Sequence, residues 1–226
     1  MITEPTTLAT DYALAALTAW LGWRLYQRAR HTHQRAMRLW ALAFAATALG
    51  SFAGGTYHGF VTALPAPVAA VTWKVATIAV GVAACLLLSA ALMSTVGGAV
   101  RRSLLVVVWL QFLAYFAWML GHDDFLYVII EYGSAMLVVF FLAVFNRTGG
   151  LHPARGWIIG GVCATLAGAA IQQSGFDIHR HFNHNDLQHV VQMFAVWLLY
   201  QGGTRLADAA LQPRTARPMD ATAEQH

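Results

Sequence analysis

Charge is what this sequence has least of. Only 11% of its 226 residues are Asp, Glu, Lys or Arg, while 58% are hydrophobic. A soluble domain carries about a quarter charged residues, so the composition excludes an ordinary water-exposed globule. The formal net charge of +4 could suggest nucleic acid. The arginines, however, fall between apolar runs and form no continuous basic face, which argues against nucleic acid and for membrane lipids as the partner. Cysteine is scarce too. Cys85 and Cys163 both lie inside apolar runs, where they make no metal-ligand spacing and are poorly placed for a disulfide. The opening MITEPTTLATDY has no basic n-region, so the first apolar run is expected to stay in the mature protein. There is no repeat of fixed period, and no break between apolar runs is long enough for a second domain.

What the sequence does have is apolar length. A hydrocarbon core of about 30 Å takes roughly 20 residues of helix. Seven runs meet or approach that length, at about residues 10–29, 38–61, 67–94, 103–120, 125–145, 156–173 and 185–203. The expected fold is therefore an all-α, seven-transmembrane helix bundle over residues 1–203. A polar tail over 204–226, containing Pro213 and Pro218, is expected to be disordered beyond its first few residues. Arginines fix the expected orientation, because cytoplasmic loops are enriched in Lys and Arg. Arg28, Arg30 and Arg35 lie at the first break, Arg101 and Arg102 in the third, Arg147 and Arg155 in the fifth, and Arg205, Arg214 and Arg217 in the tail. The even breaks are poor in them. The N-terminus is then outside and the C-terminus cytoplasmic, in a bacterial inner membrane or another cell membrane.

Ionisable residues inside the spans converge on one side. With this topology Asp11, His58, Lys74, Glu131 and His189 all fall in the outer half. Such groups are costly in a bilayer and usually face the bundle interior or a water-filled cavity. Ala46, Gly50, Gly54 and His58 recur every four residues, so His58 shares a small-residue face that lets another helix approach. Before the last run stands FDIHRHFNHND. Asn185 suits an N-cap, with Gln188 three residues on and Asp186 in the first turn. That cap makes His184 the residue before it and His189 the fourth helical residue, positions that touch in a hydrophobic-staple geometry. On an unbroken helix the two would point about 140° apart. His58, His184 and His189 would then meet at one depth, and three imidazoles plus a water form a catalytic zinc arrangement. Glu131 is the candidate to orient a ligand or move a proton, with Lys74 as a partner for it or for Asp11.

This pattern resembles the superfamily of alkaline ceramidases and adiponectin-receptor-type (PAQR) proteins. The likeness lies in seven spans with the N-terminus out, a histidine late in span two and a histidine pair opening span seven. It implies an integral membrane hydrolase that holds zinc by three histidines and acts on a lipid or lipid-like amide. The family motifs are Ser-x-x-x-His in span two and His-x-x-x-His in span seven. Here Gly54 stands four residues before His58, and Ser51, seven before and on nearly the same face, is the serine that would stand in. Asn185 stands four residues before His189, and His184 is one place earlier. The span-three aspartate of the family is absent, and Lys74 is the only charge there.

Each signal has a plainer reading. His58 could be a hydrogen-bonded helix-interface histidine, His184 a wet loop residue, and Glu131 half of a structural pair. His179 and His181 read as loop residues, although either could replace His184. The competing functional class is a non-catalytic seven-span sensor, carrier, or haem or quinone binder built on His58 and His189.

Overall fold

The structure is a computed structural model and describes residues 2–209. It is all-helical over those residues. The helices are α1 (Pro5–Thr32), α2 (Arg35–Phe60), α3 (Ala66–Thr95), α4 (Gly98–Gly121), α5 (Phe125–Phe145), α6 (Arg155–Ser174) and α7 (His184–Gly203). A short 3-10 turn, His152–Ala154, leads into α6. Local sequence sets the ends. Proline fixes φ where a helix begins, and Pro5 and Pro67 stand in the first turns of α1 and α3. The Asp124 side chain accepts the Leu126 N–H at the start of α5. Gly175 ends α6 in the left-handed conformation at φ 65°, which costs glycine nothing.

Five helices are long and apolar enough to cross a membrane: Arg35–Phe60, Ala66–Thr95, Gly98–Gly121, Phe125–Phe145 and His152–Ser174. α1 and α7 have the length but carry Asp11 and several arginines in one, and Asn, Asp, Gln and His in the other. Consecutive helices pack side by side, except that α5 returns to α3 and α7 closes against α1. The result is a ring α1–α2–α3–α5–α6–α7, with α4 on the outer flank of α3.

One end of the ring is sealed. Residues 83–94 of α3 are buried on every side. Trp40 is fully buried, and its indole N–H donates to the Leu199 carbonyl at 3.1 Å. The chain beyond α7 then crosses this end. Ala207 N–H donates to Gly150 O at 3.0 Å and Ala209 N–H to Met93 O at 2.8 Å. The Asp208 carboxylate accepts the Arg35 and Ala36 N–H groups at 3.1 and 2.7 Å, where the α2 N-terminus has orphan donors. Residues 204–209, the first of the polar tail, are thus a docked strap. Residues 210–226 lie outside the described residues.

Candidate functional site

At the opposite end the helices part around a cavity of about 440 Å³. α2 supplies Gly50, Ser51, Gly54 and His58, and α7 supplies Asn185, Gln188, His189 and Gln192. Both sets follow the three-to-four residue spacing of one helix face. Asp11 enters from α1, and Val80, Val128 and Ile129 give an apolar wall. Trp73 also lines the space, and its ring stands edge-on to His58 with centroids 6.2 Å apart.

The centre of the site is a buried ion-pair geometry. His189 Nε2 lies 3.2 Å from Asp11 Oδ1, and the two side chains are 11% and 6% exposed. His189 Nδ1 lies 3.0 Å from the Thr10 hydroxyl. That hydroxyl has two other outlets, the Thr6 and Thr7 carbonyls, each at 3.1 Å. Two proton arrangements satisfy the set. If Thr10 donates to Nδ1, then Nε2–H donates to a charged Asp11. If Thr10 donates to the backbone, Nδ1–H donates to Thr10, and the proton between Nε2 and Asp11 is shared by the pair. α1 and α2 approach closely enough here for a Cβ at Gly55 to fall 2.8 Å from Asp11 Cβ. A Cβ at Gly54 would lie 3.7 Å from Asp11 Oδ2. The missing side chain at Gly54 therefore leaves that second oxygen facing open space.

The other expected ligands are present in the cavity lining but separately engaged. His58 Nδ1 is 3.5 Å from Glu4. His184 donates its backbone N–H to Asp177 Oδ1 at 2.9 Å, and its Nδ1 lies at the same distance from that oxygen. These bonds hold Asp177 below the usual carboxylate range, the side-chain bond contributing most and the backbone bond next. Ser51 lines the same cavity. Glu131 does not. It sits on α5 and accepts a hydrogen bond from Gln111 of α4 at 3.0 Å. Lys74 pairs with neither Glu131 nor Asp11. Its ammonium donates to the Met119 and His122 carbonyls and pairs with Asp123 at 2.8 Å, closing the C-terminal end of α4. His179 and His181 stay in the exposed loop, their rings 5.4 Å apart.

The start of α7 differs from expectation, and the difference matters for zinc. Asn183, not Asn185, is the N-cap, accepting the Asn185 and Asp186 N–H groups. The Asp186 side chain returns the bond to the Asn183 N–H, completing a capping box two residues earlier. The signal missed was aspartate at the third helical position, which plays the role sought in Gln188. His184 is therefore inside the helix, about 140° around the axis from His189. Both nitrogens of His189 are already within bonding distance of Asp11 and Thr10. As folded, the three imidazoles do not fit a three-histidine zinc centre. Among the described residues no three His, Cys, Asp or Glu side chains are grouped to hold a metal ion. Sequence reasoning singled out His189 and Asp11 separately. It did not pair them, because the closure of α7 on α1 is not readable from spacing within either run.

Residues 6–208 match DUF6962, a family of unknown function, and the chain belongs to that family. No curated protein and no solved structure matches it.

Proposed function

We propose that this member of DUF6962 is a seven-span integral membrane hydrolase that takes a lipid or lipid-like amide into the cavity. The N-terminus and the cavity face outward, and the strap and tail face the cytoplasm. The observation that carries this reading is the Asp11–His189 pair, buried yet lining a space with an apolar wall. Ionisable groups held at membrane depth, paired and facing a cavity, mark proton-handling sites. A pair sharing one proton can act as base and then as acid. In the proposed reaction a water oxygen adds to the amide carbonyl carbon. Its proton passes to the open oxygen of Asp11 within the pair. The C–N bond then breaks, and the same proton goes to the leaving nitrogen, giving a carboxylic acid and an amine. Ser51 and His58 line the same space, where an O–H and an N–H can donate to the carbonyl oxygen as negative charge develops on it. No step is assigned to zinc, because the imidazoles do not fit it as folded.

The test is turnover of a fluorogenic long-chain amide by purified protein in detergent. Asp11→Asn and His189→Gln should each slow it about 100-fold or more without loss of the folded state by thermal unfolding, and a chelator should change nothing. Wild-type rates in both variants would end the proposal. Activity that chelation abolishes and zinc restores would move the chemistry back to a metal held by His58, His184 and His189. Saturable binding with no turnover would favour the sensor or carrier reading, and a visible absorption band would favour haem.

A further inference from the structure

Carboxamides from two helices, α6 and α7, enter the cavity lining. α6 supplies Gln172 and Gln173, and α7 supplies Asn185, Gln188 and Gln192. From Asn185 to Gln192 this ladder rises about 10 Å, two turns of helix. Few of its hydrogen-bonding groups are used. Gln172 Nε2 donates to Asn185 Oδ1 at 3.2 Å. Gln192 Nε2 reaches Thr165 Oγ1 only at 3.4 Å, although Gln192 is 7% exposed. Among the described residues, the Gln188 and Gln173 side chains have no hydrogen-bond partner, and the Gln172 and Gln192 carbonyl oxygens accept none. Gln192 is buried, Gln172, Asn185 and Gln188 are half-buried and Gln173 is exposed, so the unused groups face the cavity, and each carboxamide offers two donors and an acceptor oxygen to what enters it. Polar side chains left open along a cavity wall are how a pocket fixes the orientation of an otherwise apolar ligand.

Charge sharpens the point. No Lys or Arg lines the cavity among the described residues, and Asp11 is the carboxylate inside it. The basic groups that do line it, His58, His184 and His189, each already face a carboxylate, so a phosphate brought here would lose water, find no unpartnered cation and face Asp11. A quaternary ammonium would leave the open acceptors and donors of the ladder unpaired.

We propose that this carboxamide ladder is a head-group subsite. It selects an amphiphile whose uncharged head carries both donors and acceptors, such as an amide with hydroxyls, and it rejects phosphate heads of equal chain length. The chain lies along Val80, Val128 and Ile129. The inference rests on the reading that the cavity takes an amphiphile, and it does not require that the amphiphile be hydrolysed.

Three probes with one dodecyl chain test it: N-(2-hydroxyethyl)dodecanamide, dodecyl phosphate and dodecyltrimethylammonium. Equilibrium dialysis of each, radiolabelled, against the detergent-purified full chain gives its affinity. Subtracting the same dialysis against protein-free micelles at equal detergent concentration removes partition into the micelle. The amide should bind at least ten times more tightly than the phosphate, and the double variant Gln188→Leu/Gln192→Leu should lose about tenfold or more in amide affinity. A second variant, Gln188→Glu, keeps the shape and adds a charge. It should weaken the amide and strengthen the ammonium, so the proposal stays exposed if the leucine variant fails to fold. Equal affinity for amide and phosphate, no binding of any probe, or amide binding indifferent to both variants would overturn it. Selective amide binding without hydrolysis would retire the hydrolase and leave the subsite. Amide hydrolysis with phosphate bound as tightly would retire the subsite and leave the hydrolase.

Discussion

The sealed end and the cavity end are made by the same helices, yet they treat small residues and polar groups differently. At the sealed end Gly202 and Gly203 are filled by neighbours, as Gly55 and Gly59 are where α1 and α2 touch near the cavity. A Cβ at Gly203 would fall 2.6 Å from Trp40 and 2.9 Å from Leu25, and one at Gly202 would fall 2.7 Å from Ile158. Trp40 and Asp208 there bond to backbone, at Leu199 and the α2 N-terminus, although the buried Ser89 hydroxyl has no partner. At the cavity end Gly54 is left unfilled, and His58, His184 and His189 each meet a carboxylate beside open space. Close packing sets stability at one end. At the other, the helices keep polar side chains apart from full satisfaction, which is the usual condition of a binding site. Substitutions should therefore separate cleanly into those that lower stability and those that lower binding or turnover.

The largest stability effect should come from Trp40→Ala. It empties a fully buried site and removes the bond to Leu199, a loss of about 3–5 kcal/mol for a large aromatic. The thermal midpoint in detergent should fall by more than for any variant below, and a fall no greater than that of Asp208→Ala would contradict the division between ends. Next comes a neighbouring pair on α2. Gly55→Ala forces a methyl to 2.8 Å from Asp11 Cβ and 2.9 Å from the Tyr12 ring, an overpacking cost of about 1–3 kcal/mol. Gly54→Ala meets nothing nearer than 3.7 Å and gains up to about 1 kcal/mol of helix propensity. Unfolding midpoints should move down for the first and stay or rise for the second, and the same sign in both would sink the account of the α1–α2 approach.

Asp208→Ala is smaller. It removes a cap that satisfies two N–H groups of α2, which is worth about 0.5–2 kcal/mol. The strap should loosen, and amide exchange at Ala207 and Ala209 should quicken while His189 keeps its neighbours. Unchanged exchange there would show that the backbone bonds to Gly150 and Met93 hold the strap by themselves.

The limits of reading this chain from sequence follow the same division. Apolar length and breaker residues were local signals, and the helices stand where seven runs were expected. The spacing of Gly50, Gly54 and His58 likewise placed a face that lines the cavity. Contacts between distant runs were not legible. The Asp11–His189 pair joins residues 178 positions apart, and it exists because α7 packs on α1. Lys74 carried a charge that looked functional at its depth, yet the C-terminal carbonyls of α4 absorb it. Glu131 has the same lesson in the bond from Gln111, a residue that periodicity gives no reason to notice. The α7 start turned on a choice between two asparagines, and reciprocal capping by Asp186 decided it.

The smallest expected effect is a pH response confined to the rim of the cavity. Asp177 is exposed, and its carboxylate is held below the ordinary range by His184. A depressed carboxylate contributes stability that is fully present above its unfolded pKa and is lost as pH falls through the folded one. The loop carrying His179 and His181 should therefore stay docked at neutral pH and loosen only under acid conditions below the usual carboxylate titration. Protonated Asp177 keeps an oxygen but loses the charge that draws in the His184 N–H and ring. Amide exchange at His184, compared between wild type and Asp177→Asn at matched pH, isolates the effect. The variant should exchange faster at neutral pH, and the difference should vanish in acid, while exchange at the Trp40 end stays equal in both proteins throughout. A difference that persists in acid would mean the loop is held by the His179–Phe182 bridge rather than by charge.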